Sequence, residues 1–187
     1  MIAVFLKAEI DSERWGNRLL ELLDRDRRDE AILRRPNPNH ADENGYRRAL
    51  LDKTRGYEQR IGLFAGFPRD VDWRRASLER NEVLDIRFIN WDWWLDISGG
   101  TRRPRDAARR IRAGQVTGAN MDEDEKVALA AATNPELIAV TAPEAQTLVL
   151  VEGHVRLTAY ALFPEHLPDE LDILLGTSEQ MMEWTEF

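Results

Sequence analysis

The sequence predicts an α+β protein: a mixed sheet with flanking helices, preceded by an N-terminal strand and a helical extension. Three observations carry this. Leu137-Ile-Ala-Val140, Thr147-Leu-Val-Leu-Val151 and Leu171-Asp-Ile-Leu-Leu175 are apolar runs of strand length. Trp15, Leu19, Leu22 and Leu23, and again Ala107, Ala108 and Ile111, recur at helical spacing. Between them, Leu148 to Tyr160 passes from an apolar strand through Gly153 directly into an apolar helix.

From the N-terminus, Ile2, Val4 and Leu6 alternate with Ala3, Phe5 and Lys7, which predicts a strand. Ser12 offers an N-cap to an amphipathic helix over 13–27. The alternating charges of Asp24 to Glu30 read as a solvated helix face with local ion pairs. Pro36 and Pro38 make 34–40 a loop. A second helix fits 42–55 and closes at Gly56. Residues 57–82 are rich in aromatics, with Gly62, Gly66 and Pro68 breaking periodicity, and read as an irregular connection with one short helix near Trp73.

The second half starts from Val83 to Ile89, whose alternation predicts a strand. Trp91, Trp93 and Trp94 follow and read as the cap of a core or of a domain seam. Pro104 suits the first turn of a helix that ends at Gly114. Asn120 caps a helix over about 121–132, with Asp122 to Glu125 in its first turn, where the macrodipole prefers acids. Leu137–Val140, Thr147–Val151 and Leu171–Leu175 supply the remaining strands. Gly176 ends the last, and a short helix with Met181, Met182 and Trp184 follows. This divides the chain into residues 1–82, an N-terminal strand plus helical extension or lobe, and residues 83–187, the core.

Composition narrows the functions. The 187 residues carry a net charge of −8, with acids and bases balanced over 1–82 and acids dominant over 83–187. Such a balance disfavours non-specific binding to nucleic acid or membrane. No apolar run reaches membrane-span length, and the start lacks the basic region of a signal peptide. The absence of cysteine excludes disulfides and thiol chemistry and fits a cytoplasmic protein.

The candidate site is the turn at Glu152-Gly153-His154-Val155-Arg156. A glycine between strand and helix lets backbone approach an oxyanion, and the N–H groups of Val155 and Arg156 open the helix toward it. Arg156, the only Lys or Arg after Lys126, adds a forked, permanent charge suited to phosphate. His154 is a donor that titrates near neutrality, and Glu152 is placed to hold Mg²⁺ or to take a proton from an attacking hydroxyl. Each has a structural alternative: Arg156 as partner of a carboxylate, His154 as a turn residue, Glu152 as a capping acid. Thr158 and Tyr160 read as packing or hydrogen-bonding groups of the helix, and His40 and His166 as inert loop residues. In the basic cluster at 102, 103, 105, 109, 110 and 112, only Arg102 or Arg103, ahead of the helix, is positioned to join Arg156 at one pocket with Glu152 on its rim.

The order from residue 83 to about 176, with Gly153-His-Val-Arg156 between strand and helix, resembles the ParB/sulfiredoxin-like superfamily, whose domains share a Gly-x-x-Arg motif there. Thr101-Arg102-Arg103-Pro104 followed by Ala107, Ile111 and Gly114 is similar to that family's upstream Arg and helix. Asn134-Pro135 resembles its entry into the middle strand. The form Glu152-Gly153-His154-x-Arg156 is nearest to the free serine kinase type. The resemblance implies nucleotide binding, with ATP, ADP or CTP and Mg²⁺ as the cofactors expected. The sequence departs from two well-known members. It has no thiol for sulfiredoxin chemistry, and no DNA-binding helices or dimerisation tail of a partition protein follow. Glu43-Asn44-Gly-Tyr-Arg47 has the letters of a second partition-protein motif but precedes the core. Three classes of function follow: an enzyme of phosphoryl transfer or nucleotide hydrolysis, a non-catalytic domain whose nucleotide or phosphorylated ligand controls a partner, and, disfavoured by the charge, a DNA-binding or nuclease-like protein.

Overall fold

The computed structural model describes residues 1–122, 126–128 and 136–187. They fall into two units, Met1–Phe67 and Pro68–Phe187. The boundary stands before the 82/83 division expected from the sequence, because residues 72–79 belong to the sheet of the second unit.

The first unit is helical: α1 (Ile2–Glu9), α2 (Gly16–Arg25), α3 (Ala31–Arg34), α4 (Ala41–Arg55) and a 3₁₀ turn at Gly62–Phe64. The expected N-terminal strand is therefore a helix. Both phases of its alternation are apolar, so period two never separated an inner from an outer face. The helical turn instead brings Phe5, Leu6 and Ile10 into the interior. Ser12 does not cap α2, which starts later; its hydroxyl donates to the Glu9 carbonyl (2.9 Å) and accepts from Trp15 N–H (3.1 Å), which builds the intervening turn. Gly56 closes α4 at φ +71°, as expected. The core gathers Phe5, Leu19, Leu23, Leu33, Leu50, Leu51 and Phe64. Within it Arg47 is 1% exposed; its terminal nitrogens donate to Ile32 O (2.8 Å), Asn37 O (2.7 Å), Asn44 Oδ1 (2.7 Å) and Glu43 Oε2 (3.1 Å), while its buried Nε has no hydrogen-bond partner.

The second unit is built on a four-stranded mixed sheet. Its strands are β1 (Asp72–Glu79), β2 (Leu137–Thr141), β3 (Val149–Glu152) and β4 (Glu170–Thr177), in the order β1-β4-β2-β3. β4 runs antiparallel to β1 and parallel to β2, and β3 runs antiparallel to β2. Around the sheet lie α5 (Arg80–Asp85), α6 (Asp92–Ser98), α7 (Pro104–Arg112) and α8 (His154–Leu162), with 3₁₀ turns at Pro164–His166 and Glu179–Glu183. Met121, Asp122 and residues 126–128 are helical as well. The α+β class and the mixed sheet with flanking helices hold.

Residues 72–79 are a strand, not a connection with a short helix at Trp73. β1 is an edge strand with no fully buried residue, so its polar pattern hid it. Val83–Ile89 is not a strand. Glu79 and Glu82 form a capping box that starts α5, and the chain beyond it touches β3 only through the Arg87–Val149 bridge. Val83, Leu84, Ile86 and Phe88 are all buried, a spacing that serves either structure. Gly176 does not end β4 but pairs with Trp73 inside it; a Cβ there would press on the Trp73 ring at 2.8 Å, so glycine is what allows the indole to lie across the strand.

The core of this unit packs Val83, Ile86, Phe88, Ala107 and Ile111 against Leu137, Ala139, Leu150, Leu157, Tyr160 and Ile173. α7 and α8 thus cover the sheet with the faces their periodicity marked. Among the described residues, no helix is long and apolar enough to cross a membrane.

Candidate functional site

β3 delivers Glu152 to the start of α8, and Gly153 makes the turn at φ +105°, a conformation that L side chains rarely adopt. The helix then begins with no side-chain cap. Leu157 N–H closes the first turn on Gly153 O at 2.8 Å. The amides of Val155 and Arg156 precede that bond, where a helix start leaves its donors for other partners. Val155 projects outward, 54% exposed.

Arg156 does not extend into solvent. Its guanidinium folds back over the turn, and Nη2 would lie 3.3 Å from a Cβ at Gly153. That nitrogen donates to the Glu152 carboxylate and to the Glu136 carbonyl (3.1 Å), whereas the buried Nε has no hydrogen-bond partner. Both side chains of the pair are largely covered, at 18% and 15% exposure. The carboxylate alternative weighed for Arg156 is thus realised, with Glu152 one helical turn behind it as the partner. Glu136 itself pairs with Arg75 of β1.

His154 faces the other way. Its ring stacks on Trp94 (centroids 4.8 Å, planes 24° apart) and lies near Phe88 (6.0 Å, 27°). Its Nε2 accepts a long hydrogen bond from Ile89 N–H (3.5 Å). Of the indoles, Trp94 caps this part of the core as expected, while Trp93 is 52% exposed.

Arg102 is held elsewhere. Its Nε donates to Phe88 O (2.7 Å), and its two terminal nitrogens donate to Phe187 O (2.6 Å) and Glu186 O (2.8 Å). Burial is the main influence that lowers its pKa, with nearby Arg87 adding to it and Glu186 opposing it. Arg102 and Arg156 have no hydrogen-bond partner in common: the first serves carbonyls of Phe88, Glu186 and Phe187, the second the Glu152 carboxylate and the Glu136 carbonyl. Arg103 is exposed at the N-cap of α7. Of the cluster beyond it, Arg105 meets Asn81 and Asp85, Arg109 meets Asp106, and Arg112 donates to Leu162 O. In the first unit Arg47 is consumed by the interior, and Arg55 pairs with Glu9 at 3.4 Å.

Glu152 was the expected metal ligand. Among the described residues there is no group of three or more His, Asp or Glu that could hold a metal ion. A lone carboxylate tied to an arginine fits Mg²⁺ only as one contact beside a ligand's phosphates. Asn120 Oδ1 does accept from Asp122 N–H (3.1 Å), as a cap would. The acids at 123–125, the far end of that helix and Asn134-Pro135 lie outside the described residues.

The structure also holds a cleft that the sequence did not reveal. This cleft, of about 300 Å³, is lined by Arg80, Tyr160, Glu165, His166, Leu167, Pro168 and Asp169. None of the turn residues lines it. Tyr160 was legible as a core residue of α8, but Arg80 follows the unrecognised β1, so nothing in the sequence joined the two. No protein-family model matches this chain, and neither a curated protein nor a solved structure does.

Proposed function

We propose that this protein binds a phosphate-bearing small molecule, with ATP, ADP or CTP the foremost candidates, at the turn between β3 and α8. One observation carries the reading. Gly153 opens an uncapped helix start, and the Arg156 guanidinium is packed over that glycine with its Nε unpartnered. A phosphate oxygen at this point would receive the amides of Val155 and Arg156 and a charge-assisted bond from the guanidinium. Glu152 holds Arg156, so a phosphate enters by exchange: it takes the guanidinium and releases the carboxylate. The released Glu152 would then be available to Mg²⁺ arriving with the nucleotide. Arg103, exposed before α7, is the remaining basic candidate, whereas Arg102 is engaged by backbone carbonyls.

The packing of His154 against Trp94 and the engagement of Glu152 favour a binding domain over an enzyme of phosphoryl transfer or nucleotide hydrolysis. A thermal-shift screen of ATP, ADP and CTP with and without Mg²⁺ tests the reading. Stabilisation by at least one nucleotide, lost in Arg156→Ala, supports it. No stabilisation by any of them overturns nucleotide binding. The catalytic form additionally requires Mg²⁺-dependent release of ADP or phosphate that disappears in Glu152→Gln while binding persists.

A further inference from the structure

The cleft beside α8 holds polar groups that the protein leaves unanswered. Tyr160 is fully buried, forms part of the cleft wall, and its hydroxyl has no hydrogen-bond partner. Arg80, on the same wall, donates Nη2 to Asp169 Oδ1 (3.0 Å), but its buried Nε has none. Buried tyrosine hydroxyls and guanidinium N–H groups nearly always find an acceptor, since leaving them bare forfeits their hydration without return. Here two such donors belong to side chains far apart in the sequence of the second unit, brought to one concavity. The rest of the lining is mixed. Leu167 and Pro168 are apolar, and His166, Glu165 and Asp169 are ionisable.

We propose that this cleft is a binding site for a small molecule with a single oxyanion, a carboxylate or a phosphate, received by Tyr160 Oη and Arg80 Nε. The volume of about 300 Å³ admits a small metabolite. The two acids on the lining disfavour a second anionic group, so the remainder of the ligand is neutral or cationic. Leu167 and Pro168 give that remainder an apolar surface. The cleft lining includes neither Gly153 nor Arg156, so the proposal stands whether or not the turn binds nucleotide, although the Arg156 charge is felt at Tyr160.

The test is calorimetric titration of the full chain with propionate, malonate and inorganic phosphate, repeated on Tyr160→Phe, Arg80→Gln and Arg156→Ala. Tyr160→Phe keeps the ring that packs the core, and Arg80→Gln is an independent route should the first variant fold poorly. Saturable binding of propionate or of phosphate is expected, weakened about tenfold or more by each cleft variant, as for a hydrogen bond to a charged group. Whichever of these two saturates identifies the head group. Malonate should bind more weakly than propionate; equal binding would overturn the assignment of one anionic group per ligand. The proposal falls if no anion saturates, or if binding survives both cleft variants. Phosphate binding abolished only by Arg156→Ala would likewise assign the anion to the turn and overturn the cleft.

Discussion

The rings of Trp94 and His154 lie 4.8 Å apart and nearly parallel, so the histidine of the turn is part of the wall between α6 and α8. This predicts a structural signature for His154. Replacement by Ala should cost about 2 kcal/mol, from lost stacking and the space left behind. Replacement by Phe should cost less, because the stack is kept while the acceptor for Ile89 N–H goes. Urea denaturation of the two variants measures the difference. If His154→Phe is as damaging as His154→Ala, the stack is not what the residue provides.

The Glu152–Arg156 pair predicts opposite effects on stability and affinity. Glu152→Gln removes the charge that restrains the guanidinium. The protein should lose about 1–3 kcal/mol, as when a charged hydrogen bond is broken in a partly covered site. Without Mg²⁺, any phosphate ligand of the turn should bind more tightly, because it no longer competes with a carboxylate. A Mg²⁺-free nucleotide titration in which Glu152→Gln binds more weakly than the parent chain would contradict the exchange.

Glu186 predicts a pH dependence. Burial raises its pKa, against the lowering influence of hydrogen bonds from Trp91 and Thr185 and of the Arg102 charge. Between its unfolded and folded values the native state holds the extra proton, so stability falls as pH rises through that window. The window starts in the ordinary glutamate range and extends above it. Glu186→Gln should flatten that decline, seen as the difference between the two proteins' unfolding free energies across mildly acidic pH. Equal slopes would show that the carboxyl is not protonated preferentially in the fold.

In the first unit, Arg47 predicts a large effect from a single surface-type residue. Arg47→Ala strands Ile32 O, Asn37 O and Glu43 and leaves a cavity, a loss of about 3–5 kcal/mol. Arg47→Lys should recover only part, since an ammonium cannot span carbonyls that the planar fork reaches together. Helical circular dichroism during thermal unfolding reads both.

How much was legible follows from where burial and polarity agree. α4 with Gly56, α7 behind Pro104, β2, β3 and the Gly153 turn were visible because caps, breakers and apolar runs pointed the same way. α1 was mistaken because its apolar residues fill both strand phases. α5 was mistaken because its capping acids Glu79 and Glu82 were given no weight against an alternating run. β1 was missed because an edge strand can be polar on most of its length. At the site, residue types at the turn were readable, but their partners were not. Nothing local says that Arg156 folds back onto Glu152, or that Arg102 serves the carbonyls of Glu186 and Phe187.

The strand order β1-β4-β2-β3 puts the last strand made into the middle of the sheet. During synthesis the first unit can acquire its helices from near neighbours as it emerges. The second cannot: β1 and β2 have no common neighbour until residues 170–177 leave the ribosome. Until then the apolar faces of β2, α7 and α8 await their central strand. A pause or a premature stop before residue 170 would therefore release a folded helical head joined to an adhesive, incomplete sheet, a natural client for a chaperone.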